Sequence, residues 1–186
     1  MKKIKILAIV GSLRKDSYNR KLALIVKELV GDRADFSLLE YGDIPLFNED
    51  IEKPTPEAVR LVYDEVRAAD GLWFFTPEYN HFFPGVLKNL LDWISRPQGA
   101  NNLLSGTPAT LSGITPGMTG TAVAQDHLVT LISYLNMDVM NAPRVTVPNA
   151  LQLLDEEGKL ILAKPSLRFL EKQVDGFISF VEKRKA

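Results

Sequence analysis

IKILAIVGSLRKDSYNRKLALIVKELV, residues 4–30, changes its hydrophobic period across a single short loop. Ile4–Val10 is apolar except for Lys5, as a strand covered on both faces of a parallel sheet is. Beyond the loop, Leu22, Ala23, Ile25, Val26 and Leu29 recur at helical spacing. Ser17 stands where an N-cap is wanted, and Gly31 with Asp32 ends the helix. A buried strand feeding an amphipathic helix is the first half of a βαβ unit.

The alternation continues along the chain. DFSLLE, residues 35–40, predicts a second strand, and the proline- and glycine-punctuated stretch 41–55 a loop. Thr55 is expected to cap a helix with Pro56 in its first turn and Leu61, Val62, Val66 and Ala69 on its apolar face. GLWFF, residues 71–75, and PATLSGI, residues 108–114, predict the third and fourth strands. Helices are expected from Pro84 to about Trp93, from Thr121 to Leu135, and from Pro165 to Lys185. A fifth strand is split between MDVM and RVTV around Pro143. Strict alternation implies an α/β, doubly wound, five-stranded parallel sheet with helices on both faces and ligands at the carboxyl ends of its strands. With no repeat or linker, residues 1–186 are expected to form one domain.

Composition narrows the function classes. The chain has 186 residues, a formal net charge of −1 and no cysteine. Disulfides and thiolate chemistry are thereby excluded. No basic stripe suggests a nucleic-acid partner, and no stretch reaches the about 18 apolar residues of a membrane span. Lys5 interrupts the N-terminal apolar run, which does not read as a secretory signal, so a cytoplasmic location is expected. Two histidines, His81 and His127, are too few for a metal cluster; HExxH and GxSxG are absent.

The first loop lacks the glycines of a dinucleotide fingerprint and the Gly-Lys-Ser/Thr ending of a P-loop. It offers Ser12, Ser17 and Asn19 as side-chain donors and Arg14 as a cation without a nearby carboxylate partner. That set suits a terminal phosphate at a helix N-terminus, although Ser17 alone is more often merely an N-cap. After the third strand, TPEYNHFFPG (residues 76–85) carries Pro77, Tyr79, Asn80, Phe82, Phe83 and Pro84. Rigid prolines and aromatic faces suit a flat heterocycle, or a core cap or subunit contact for the two phenylalanines. Lys88 and Asp92 read as a surface pair, Trp93 as core.

GSLRKDSYNRKLA followed by PEYNHFFPGVLKNLLDW resembles the NADPH-dependent FMN reductase family, which includes bacterial chromate and quinone reductases. The resemblance implies a flavodoxin-like sheet of order 2-1-3-4-5, bound FMN, and NADPH or NADH as electron donor. It implies that Ser12, Arg14, Ser17 and Asn19 hold the FMN phosphate, with Pro77, Glu78, Tyr79 and Asn80 along the isoalloxazine. Relatives often carry a Ser and a Gly-Gly pair after strand four; here SGITPGMTGTAVAQ leaves Ser112 and Thr115 as candidate ring-edge donors. The flavin would carry the chemistry, so no catalytic side chain or metal is expected. Quinones, free flavin or chromate would be the small-molecule acceptors, and a homodimer or homotetramer the assembly. The alternatives are an electron carrier of the same fold, which would favour a strongly charged docking surface, and a redox-silent sensing module.

Overall fold

The computed structural model describes residues 3–97 and 102–185. Its elements are β1 (Lys5–Val10), α1 (Tyr18–Val30), β2 (Asp35–Leu38), α2 (Glu57–Ala68), β3 (Gly71–Phe75) and α3 (Gly85–Ile94). They continue as β4 (Pro108–Ile114), α4 (Ala122–Tyr134), β5 (Asp138–Val139), β6 (Val145–Val147) and α5 (Lys164–Lys185). The sheet runs β2-β1-β3-β4-β5 with every pair parallel, the flavodoxin-like order expected. The split last strand is also present. β5 pairs with Pro108 and Ala109, whereas β6 pairs with Ser112–Ile114 farther along the same edge of β4.

Alternation along the strands divides the core in two. Ile6, Ala8, Val10, Trp73 and Phe75 face α1 and α5, while Leu7, Ile9, Leu72 and Phe74 face α2, α3 and α4. Trp73, fully buried, stacks on Phe75 at 5.7 Å and meets Phe177 of α5 edge-on at 5.3 Å. Its indole N–H donates to Ser112 Oγ (3.0 Å), which donates to Gln173 Oε1 (2.8 Å). Gln173 Nε2 in turn donates to Thr110 Oγ1 and to the Leu111 carbonyl. This polar chain lies wholly in the core, which is tolerable because its members are partnered, and it docks α5 onto β4.

Three local expectations fail. Thr55 does not cap α2: its hydroxyl donates back to the Glu52 carbonyl (3.2 Å), and Pro56 occupies the cap position with no side-chain bond. Leu61 points outward, because the buried stripe of α2 is Val59, Val62, Tyr63 and Val66. DFSLLE also ends early as a strand, at Leu38; Tyr41 instead turns in to donate its hydroxyl to the Val10 carbonyl (2.6 Å). No helix among the described residues is long and apolar enough to cross a membrane.

At Gly113 the crossover into α4 presses on β4. A Cβ there would lie 2.2 Å from Thr121 Oγ1 and 2.3 Å from the Thr76 carbonyl oxygen. Gly113→Ala is therefore expected to destabilise the fold by about 1–3 kcal/mol, the usual range for overpacking. Urea unfolding reads this directly, and an unchanged midpoint would contradict it.

Candidate functional site

The loop after β1 is drawn against β3 by one bond, Gly11 N–H to the Phe75 carbonyl at 2.8 Å. Ser12 Oγ accepts from the Arg14 amide, shaping the turn that follows. Ser17 is extended, with φ −73° and ψ 126°, and its hydroxyl oxygen accepts from the Arg20 amide at 3.3 Å. Its carbonyl accepts from the Lys21 amide. The amides of Tyr18 and Asn19 then have no intrahelical acceptor, and they sit at the positive pole of a 13-residue helix.

Asn19 ties this helix start to β4. Its Nδ2 donates to the Ile114 carbonyl (2.8 Å), and its Oδ1 accepts from the Ile114 amide (3.0 Å). Ser12, Arg14, Ser17, Tyr18 and Asn19 thus line one cavity with Pro77 and Tyr79 after β3 and Ile114, Thr115 and Pro116 after β4. The cavity is about 110 Å³. Sites that enclose a whole drug-sized ligand run to roughly 300–1,000 Å³, so this one has room for a group of the size of a phosphate and not for a whole ligand. A larger shallow hollow of about 740 Å³ includes Lys3, Lys27, Asp32 and Phe36 in its lining. It lies at the amino ends of β1 and β2, opposite to where doubly wound sheets bind.

The loop after β3 is a tight hairpin. Tyr79 and Phe82 exchange both backbone hydrogen bonds, at 2.9 and 3.0 Å, around Asn80 and His81. Those two residues hold positive φ, 51° and 59°, the pattern of a type I′ turn. The hairpin leans on α4: Glu78 Oε2 accepts from the Ala124 amide at 3.0 Å, and the Phe82 ring lies 4.5 Å from that of His127. Since Thr121 supplies no side-chain cap to α4, the Glu78 carboxylate does so from outside. Phe83 is buried in the core beneath, so only Phe82 of the pair presents its ring to solvent. Lys88 and Asp92 form the expected surface pair, and Trp93 is core, its indole N–H donating to the Pro45 carbonyl.

Several site residues differ from their expected roles. Ser112 is no ring-edge donor: it is buried inside β4, and both of its hydrogen bonds go to Trp73 and Gln173. Glu78 is turned to α4 and Asn80 is exposed at the hairpin tip; both lie outside the small cavity, which is not large enough to take a flavin ring. Arg14 does have a carboxylate beside it, Asp16 Oδ2 at 3.2 Å, while its guanidinium lies 4.8 Å from the Tyr18 ring centre. Lys21, foremost, and Arg14 hold the Asp16 carboxyl below the usual carboxylate range. Tyr18, Ile114 and Pro116 join the lining unannounced by any sequence pattern, except that Tyr18 directly follows the cap. Among the described residues no three His, Asp or Glu side chains come together as a metal site.

Fold and site together define a flavodoxin-like domain whose cleft opens at the carboxyl ends of parallel strands. Residues 4–152 match the profile of the NADPH-dependent FMN reductases, and the chain belongs to that family. It is 36% identical over 182 residues to a 2-hydroxy-1,4-benzoquinone reductase of a Burkholderia species, covering 98% of each chain. To an NAD(P)H-dependent FMN reductase of Pseudomonas aeruginosa it is 41% identical over 159 residues, 85% of each chain. Among solved structures, the flavoenzyme NAD(P)H:(acceptor) oxidoreductase FerB of Paracoccus denitrificans superimposes with a TM-score of 0.88. The two share 34% identity, with 97% of this chain and 98% of that one covered. This protein is therefore an FMN-dependent oxidoreductase that takes its electrons from NAD(P)H.

Glu78→Ala removes the external cap of α4 and should cost about 0.5–2 kcal/mol, as lost caps do. In a domain of this size each kcal/mol lowers Tm by about 2–4 °C. Glu78→Gln keeps an acceptor and should recover most of the loss in thermal unfolding; equal losses in both variants would show that the Ala124 bond is not the cause.

Proposed function

We propose that the chain acts as a single domain that seats the FMN phosphate in the cavity at the start of α1 and reduces small acceptors of the quinone class. The observation that carries this reading is convergence: hydroxyls, unpartnered helix amides and one guanidinium, brought from three loops, line a space of about 110 Å³. The donor set fits a terminal phosphate. Ser12 and Ser17 would donate hydroxyl hydrogens, Tyr18 and Asn19 their amides, and Arg14 a charged fork. Asn19 would add at most its second side-chain N–H, the first being committed to Ile114.

Pro77 and Tyr79 on one side, and Thr115 on the other, would border the ring at the open face. When bound, FMN supplies the redox chemistry, accepting reducing equivalents from the nicotinamide and handing them to the acceptor. The protein's own work is placement. The type I′ hairpin and its ties to α4 hold Tyr79 at the cavity mouth, and the open cleft admits donor and acceptor in turn. Relatives named quinone reductase support the acceptor class; free flavin and chromate are further acceptors of an exposed flavin. A cytoplasmic setting is part of this reading, and a chain without cysteine is compatible with it.

Purified protein loaded with FMN should show flavin absorption bands that bleach with NADPH and return when quinone is added. Bands that persist after NADPH would sink the reductase reading and favour an electron carrier. Arg14→Ala combined with Ser17→Ala should weaken FMN binding by about tenfold or more, the worth of one lost charged hydrogen bond. A titration with unchanged affinity would refute the phosphate assignment.

We also propose self-association through the surface near the hairpin. Phe82 is 45% exposed there, and Tyr79, His81 and His127 are exposed beside it. Sedimentation should give a dimer or tetramer, and a monomer at micromolar concentration would count against it.

A further inference from the structure

Asp16 stands between two cations, Arg14 of the β1–α1 loop and Lys21 of the first turn of α1. Its Oδ2 lies 3.2 Å from Arg14 Nη2 and its Oδ1 2.5 Å from Lys21 Nζ. Among the described residues Arg14 is the one charged side chain lining the cavity, and Asp16 lies outside that lining. Lys21 is anchored in turn by the Gly158 carbonyl at 2.5 Å. The carboxylate is thus held on the outer side of the loop, where it takes up one edge of the Arg14 fork. The Tyr18 ring lies over the same guanidinium.

As a stabilising pair this arrangement is worth little. The side chains of Arg14 and Asp16 are 53% and 61% exposed, and pairs this open to solvent contribute little to stability. Beside a site that receives an anion the same carboxylate has a second effect. It opposes the incoming charge and reduces the net positive field of Arg14 at the cavity wall. Charges a few ångströms apart interact more strongly as water is excluded from between them, so one nearby negative charge is enough to change phosphate affinity severalfold.

We propose that Asp16 sets the affinity for the phosphate-bearing cofactor, holding Arg14 in position while keeping FMN loose enough to exchange with free FMN. This rests on the reading that the cavity takes the FMN phosphate. Orientation and charge act in opposite directions here, and the charge dominates: an amide at this position still accepts a hydrogen bond from Arg14 but no longer repels the phosphate.

The test is a fluorescence titration of apoprotein with FMN and, in parallel, with riboflavin, which has the same ring and no phosphate. Asp16→Asn should tighten FMN binding by about tenfold at low ionic strength, leave riboflavin unchanged, and slow FMN release in a stopped-flow chase. The gain should shrink at high salt, because the groups are exposed. Arg14→Ala, measured beside it, separates the two layers. If Arg14→Ala leaves the FMN-to-riboflavin affinity ratio unchanged, the phosphate reading itself fails. If Arg14→Ala collapses the ratio while Asp16→Asn leaves it at the wild-type value or lowers it, the affinity-setting role alone is overturned.

Discussion

The Asn19 carboxamide closes on the main chain of Ile114 from both directions, and the site exists because of it. One side chain in the first turn of α1 satisfies the amide and the carbonyl at the end of β4. Helix start and strand end are thereby held a hydrogen bond apart, although 95 residues separate them in sequence. The bond from Gly11 to Phe75 does the same between the first loop and β3. Loops that would otherwise be surface connections become three walls of one cavity. The geometry is buried and paired, so it is already assembled before a ligand arrives.

That constraint also explains the division of labour around the cavity. Backbone amides and hydroxyls at the start of α1 face inward, while longer polar side chains are used to secure neighbouring elements. Glu78 is spent on α4, Ser112 and Gln173 on the docking of α5, and Asn19 largely on Ile114. A phosphate seated there as proposed would be held in large part by backbone groups that cannot rotate away.

The architecture was legible in the sequence because its signals are local. The capped start at Ser17, the unbroken run GLWFF and the split around Pro143 each state a conformation that the surroundings reinforce. The candidate site was indicated by position and by motif, in that Ser12, Arg14, Ser17 and Asn19 line one cavity with Pro77, Tyr79 and Thr115. What could not be read was partnership. Whether Ser112 faces a ligand or a tryptophan depends on which face of β4 it occupies, and every residue of that strand is buried. Alternation carries no contrast where both faces are apolar. The pairing of Arg14 with Asp16 required the turn geometry, and Thr55 lost its capping role because its hydroxyl found an acceptor behind it. In each case a polar side chain had two possible partners and the fold chose one.

The broken strand at the far edge of the sheet bears on assembly. β5 and β6 are two and three residues long and separated by a turn, and the opposite edge, β2, is only four residues. Neither border presents a row of unpaired amides long enough to template another strand. Edges this short disfavour a second copy that would continue the sheet, so self-association as proposed would fall to side chains on the helices and loops. The redox cleft lies at the strand ends and not along the borders, which puts the loop surfaces beside it among the places where copies can meet.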